Sequence, residues 1–129
     1  MNKAIIQSTI DGSLAGTLTF PEVVGTLLKE GIESYHVDFL RNENTYYHMN
    51  GDSLVVDTKH MHGEIAREFS AEEVKSAIKK VQSGKVNYTE FCLEAIASGC
   101  ACYTAYLNGK KVIYFGRNGD HHVEHFPNK

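Results

Sequence analysis

Seven histidines and three cysteines are the residues of this 129-residue chain whose chemistry is most distinctive. Three of the histidines gather near the C-terminus, in His121-His122-Val123-Glu124-His125. On an extended strand His121, Val123 and His125 share one face, and His122 and Glu124 share the other. Each face then offers two donor groups. With His60 and His62, or with Asp57 completing a three-ligand set, such donors could hold a tetrahedral zinc ion. The cluster lacks a closed ligand pattern, so the plainer alternative is a set of solvated residues near a chain end. A metal-dependent enzyme using His121, His122, Glu124 and His125 is therefore the second expectation, and zinc the one cofactor it would bring.

His36 and Asp38 form the other candidate. They alternate onto the polar face of a predicted strand, where a carboxylate near an imidazole could orient a general base. Thr104 and Tyr106 fall at matching positions of a second strand. A sheet face carrying His36, Asp38, Thr104 and Tyr106 would suit a small polar ligand or a protein partner. The plainer alternative is the wet side of a one-sided sheet. The cysteines carry less. Cys92 sits among Phe91, Ala95 and Ile96 in a predicted helix, where apolar surroundings oppose thiolate formation. Cys100 and Cys102 alternate on one strand, poorly placed for a disulfide. Three unpaired cysteines, behind a polar start without a signal-peptide pattern, predict a reduced, cytoplasmic protein. No nucleophile elbow and no phosphate loop occurs in the sequence, so no catalytic residue is assigned.

Composition narrows the classes. The chain is 42% hydrophobic and 22% charged, with a net charge of −3. That balance is globular and lacks the basic excess of a dedicated nucleic-acid binder. Its apolar runs are too short to span a bilayer.

The elements that would position these residues occur twice. Residues 16–55 align with residues 84–123 at an offset of 68 without a gap, and nine pairs are identical. Average composition gives about two or three. The matches fall where backbone geometry is demanding. Thr19 and Asn87 are helix-capping types with Glu22 and Glu90 three residues on, a capping-box pattern. Gly31 and Gly99 follow one helix length later, where a left-handed residue ends a helix. Tyr35 to Phe39 and Tyr103 to Leu107 alternate as half-buried strands, with Tyr35, Val37, Phe39, Tyr103, Ala105 and Leu107 inward. Second strands run over Asn44–His48 and Val112–Phe115. Asn50-Gly51 and Asn118-Gly119 then predict hairpin turns into third strands at Ser53–Val56 and His121–His125. Ser70 to Glu73 is a further capping box opening a helix with Val74, Ile78 and Val81 on one face, and Ile6 and Ile10 mark its counterpart.

The sequence thus predicts one α+β domain over 1–129. It would be built from two helix–helix–strand–strand–strand repeats (about 1–58 and 69–126) about a pseudo-two-fold axis, with antiparallel sheet and helices on one side. Lys59 to Phe69 would bridge the halves.

The C-terminal half carries a resemblance. Ala77-Ile78, Gly84, Asn87-Tyr88-Thr89-Glu90-Phe91-Cys92, Ala95, Gly99, Tyr114, Gly119 and Glu124-His125-Phe126-Pro127 resemble the YbcV/YdfO-like family. These are small bacterial and prophage-encoded proteins of unknown function, some labelled phage envelope proteins. The resemblance covers most of the chain and is most specific from Ser70 to Pro127. The histidine-rich ending departs from it. It implies a phage-related or accessory role and supplies no catalytic residues. The leading expectation is a non-enzymatic binding or interaction module without cofactor. Its partner would be a protein or small ligand, with neither nucleic acid nor membrane involved. A homodimer through a sheet edge is possible, because open sheets have edges to cover.

Overall fold

A computed structural model describes residues 1–58 and 63–126. Helices α1 (Lys3–Ala15) and α2 (Phe20–Lys29) precede strands β1 (Ile32–Asp38), β2 (Glu43–His48) and β3 (Ser53–Asp57). The order then recurs as α3 (Ala71–Gln82), α4 (Tyr88–Ala97), β4 (Cys100–Tyr106), β5 (Lys111–Gly116) and β6 (His121–His125). The strands form one six-stranded antiparallel sheet in the order β3-β2-β1-β4-β5-β6. Two meanders therefore join through their first strands, and the architecture is mixed α+β.

Local chemistry accounts for the boundaries. Thr19 and Asn87 cap α2 and α4, accepting from the Glu22 and Glu90 amides while those glutamates reach back to the cap amides. These reciprocal bonds satisfy donors that a helix start otherwise leaves unpaired. At α3 half of the expected box is seen. Ser70 accepts from the Glu73 amide at 3.2 Å, and α3 carries two carboxylates in its first turn, Glu72 and Glu73.

Turns follow the same logic. Asn50-Gly51 and Asn118-Gly119 do connect strands. Positive φ there is confined to Gly51 and Gly119, so these are not two-residue type I′ turns, which need two such residues. The longer loops close with His48 N donating to Asp52 O and Gly116 N to Asp120 O. Every residue with positive φ among the described residues has a counterpart 68 positions away: Gly16 and Gly84, Gly31 and Gly99, Asn42 and Lys110, Gly51 and Gly119.

Alternation decides what the sheet buries. Tyr35, Val37, Tyr46, Val56, Tyr103, Ala105, Val112 and Tyr114 face the helices and merge with Ile6, Leu27, Val74, Ile78, Phe91 and Cys92 into one core. That core draws on both halves of the chain. The opposite sheet face carries Ser34, His36 and Asp38 on β1 and Cys102, Thr104 and Tyr106 on β4, all partly buried except Tyr106, which is exposed. In the central pair His36 stands opposite Thr104. Shifting each member of the β1–β4 register by 68 exchanges the strands and returns the same pairs. Among the described residues no helix is long and apolar enough to cross a membrane.

Candidate functional site: an interlayer cavity

Between the helices and the sheet lies a cavity of about 650 Å³. Volumes of this order hold small organic ligands. Thr9, Ile10 and Ser13 of α1 and Val23 of α2 line it from one half, and Ile78, Val81, Tyr88 and Phe91 from the other. The sheet contributes Tyr35, Asn44, Tyr46, Tyr103, Val112 and Tyr114. Phe20, exposed on α2, meets Phe126 edge to face with ring centroids 5.4 Å apart, and both rings line the cavity with Glu124.

The walls are largely aromatic. Tyr35 stacks on Tyr46 at 5.3 Å, Tyr103 lies 5.2 Å from Tyr114, and Phe91 meets Tyr114 edge-on at 6.2 Å. The Tyr88 and Tyr103 hydroxyls are 2.7 Å apart and hydrogen-bonded. Burial raises the pKa of Tyr35, Tyr88, Tyr103 and Tyr114 and pushes Tyr46 up to about 12, because a buried phenolate loses its hydration. These hydroxyls are neutral donors and acceptors at neutral pH.

One polar group in the wall is not accounted for by packing. Asn44 is 6% exposed. Its Nδ2 donates to the Tyr46 hydroxyl at 3.0 Å, while its Oδ1 is buried without a partner. A buried acceptor without a donor costs roughly 1–3 kcal/mol, so its presence calls for an explanation.

Of the site residues predicted from the sequence, Glu124 and His125 border the cavity and the others fall elsewhere. His36, Asp38, Thr104 and Tyr106 do share the open sheet face, and none of them lines the cavity. His36 Nδ1 is hydrogen-bonded to Thr104 Oγ1 at 2.8 Å. Asp38 Oδ1 accepts from the Leu40 and Arg41 amides at 2.9 and 3.1 Å, which holds the β1–β2 turn. Asp38 therefore orients backbone and not an imidazole. Tyr106 is the most exposed of the four.

The terminal histidines do not converge. By register His121 and His125 stand opposite Phe115 and Lys111, and His125, the last residue of β6, also borders the cavity. His122 lies opposite Tyr114, stacks on its ring at 6.4 Å and meets Glu124 at 3.1 Å. Strand alternation thus splits the four candidate ligands between two faces. Among the described residues no group of three or more His, Cys, Asp or Glu is placed to hold a metal ion. His60 and His62 lie outside the described residues. Burial pushes the Cys92 and Cys100 thiols up to about 12 and raises Cys102, so all three favour the thiol form.

Fold and cavity together define a two-layer α+β protein with a small-molecule-sized space between its layers. The chain belongs to the DUF1398 family, proteins of unknown function, which matches residues 14–124. A search of curated proteins gives no match.

Proposed function

We propose that this chain is a non-enzymatic binding protein that takes a small, mostly apolar molecule into the interlayer cavity. The observation that carries the reading is a cavity of small-molecule size between the layers with largely aromatic walls. Apolar pockets with a few placed polar groups are the usual form of small-ligand sites. A binder fits better than an enzyme because the wall hydroxyls are held neutral and the nearby Cys92 thiol is pushed up to about 12. Neither is then poised as base or nucleophile at neutral pH.

The two halves are read as copies of one unit about a pseudo-two-fold axis. Three features support this: the positive-φ residues paired at 68, the capping boxes at Thr19 and Asn87, and a β1–β4 register that maps onto itself. The cavity then lies where the copies meet. A cytoplasmic setting accords with three free cysteines, and the accessory, phage-related role comes from the resemblance alone.

The test uses the uncharged fluorophore N-phenyl-1-naphthylamine. Saturable one-to-one binding is expected. Ser13→Phe, which places a ring into the cavity from α1, should weaken it at least tenfold while keeping the wild-type circular dichroism. No binding, or equal binding by a folded Ser13→Phe protein, refutes the cavity as the site.

A further inference from the structure

The sheet face turned away from the helical core can be followed residue by residue through the strand register. Its residues fall into three rows that cross all six strands. From β3 to β6 the middle row runs Val55, Thr45, His36, Thr104, Ile113, Val123. It contains no Asp, Glu, Lys or Arg, and its central pair, His36 and Thr104, is hydrogen-bonded at 2.8 Å. The Asp, Glu and Lys side chains of this face, Asp38, Glu43, Asp57 and Lys111, all stand in the outer rows. A less charged centre inside a polar rim is the anatomy of a protein interface. Apolar side chains stand exposed on it, with Val55 at 53%, Tyr47 at 42% and Tyr106 at 37%.

The charges of the rim are divided between the halves. Strands β1 to β3 bring Asp38, Glu43 and Asp57 to this face and no Lys or Arg. Strands β4 to β6 bring Lys111 and His121 and no carboxylate. Arg41, in the β1–β2 turn, meets Glu43 at 2.7 Å and offsets one of the three carboxylates. Glu43 and Lys111 lie 68 residues apart and open the second strand of each half, so corresponding places carry opposite charge. A two-fold axis in the plane of the face lays the acidic half of each copy over the basic half of the other, because a two-fold makes every contact twice. The face is therefore complementary to itself. Six strands about 4.8 Å apart, each contributing about five residues of 3.4 Å, give roughly 500 Å² per copy before side-chain relief. Two copies then bury about 1,000 Å², the lower bound of a specific interface.

We propose that two copies of this chain pack face to face through their open sheet faces, about a two-fold axis in the plane of the sheet, acidic half over basic half. The occupant is a second copy because the charge pattern matches itself. A partner of one charge sign would attract one half and repel the other. Pairing through the β3 and β6 edges, the usual association of an open sheet, would leave the middle row and Tyr106 exposed. The reading does not depend on the cavity, which lies on the helical side of the sheet.

Sedimentation equilibrium of the full chain tests it. Wild type should be a dimer with a Kd below about 10 μM. Glu43→Lys and Lys111→Glu should each weaken it at least tenfold with unchanged circular dichroism. Mixed one to one, the two variants should associate within about threefold of wild type, because the two reversed charges then face each other and the two native ones do the same. Thr45→Arg, in the middle row on an inner strand, should be monomeric, whereas an edge-paired dimer would survive it. In wild type, dilution through the transition should move the Ile113 and Val123 methyl resonances and leave those of Ile6 and Leu27 in place, a readout that stands even where a variant fails to fold. A wild-type monomer at about 100 μM, a dimer that survives Thr45→Arg, charge variants as tight as wild type, variants that do not associate on mixing, or dilution shifts away from the open face would each overturn the proposal.

Discussion

Asn44→Val should stabilise the protein, contrary to the usual outcome for a substitution at a buried site. The substitution gives position 44 the residue found at position 112, in a buried strand environment beside a tyrosine. Two terms oppose each other. The Asn44 Nδ2 bond to the Tyr46 hydroxyl is lost, a net cost of about 1 kcal/mol for an ordinary hydrogen bond. The Tyr46 hydroxyl keeps a contact with Thr9, so it is not itself orphaned. Against this, the unpartnered Oδ1 disappears, which recovers roughly 1–3 kcal/mol. A β-branched side chain also suits a strand and adds apolar burial. The balance is a gain of about 1–2 kcal/mol, which for a chain of this length raises the melting temperature by about 4–7 °C. Urea titration with an unchanged slope, alongside calorimetry, measures it. A loss of more than about 1 kcal/mol would refute the reasoning. It would mean that the Asn44 amide is satisfied in solution or needed for packing. A gain would mark Asn44 as a residue retained at a cost to stability.

Two glycines with similar φ but different surroundings should respond very differently to alanine. At Gly99, φ is 93° and an added Cβ would collide with the Glu68 carbonyl, so Gly99→Ala should lose at least about 3 kcal/mol or fail to fold. At Gly51, φ is 97° with open space around it, so Gly51→Ala should lose only about 1–2 kcal/mol. Equal losses in urea titration would remove the steric argument. The buried thiols predict alkaline weakening. Cys92 and Cys100 titrate at about 12 when folded, above their unfolded values near 8.5, so the folded state holds protons that the unfolded state gives up. Their contribution is intact below about pH 8.5 and falls by up to about 1.4 kcal/mol per pH unit for each thiol between there and about pH 12. Cys92→Ala should flatten that slope. The same decline in the variant as in wild type would mean that the Cys92 thiol does not titrate with unfolding.

What could be read from the sequence was whatever is fixed by a few neighbouring residues. The caps at Thr19 and Asn87 and the left-handed Gly31 and Gly99 are local necessities, and each is where its spacing placed it. Inward Tyr35, Val37, Tyr103 and Leu107 followed from alternation alone. The Ser70 box, with its single bond from Glu73 N, shows the limit of that reasoning. The motif offers both partners, and tertiary surroundings decide whether the second bond forms. Register lies further off. His36 and Thr104 read as ligand groups on a wet face, and strand pairing set them opposite each other so that each occupies the other. Alternation divides the histidine cluster between two faces, as the sequence already indicated, and His60 and His62 lie outside the described residues. The cavity was beyond local reading because it is the volume that side chains from both halves leave unfilled.

Its chemistry was nevertheless visible to a different comparison. Aligning the chain on itself rewards identity, and identity finds turns and core tyrosines that the two halves have in common. The informative positions are those with matched neighbours and unmatched chemistry. Asn44 and Val112, set against the identical Tyr46 and Tyr114, are such a pair. There the amide departs from a pattern that an apolar residue already satisfies.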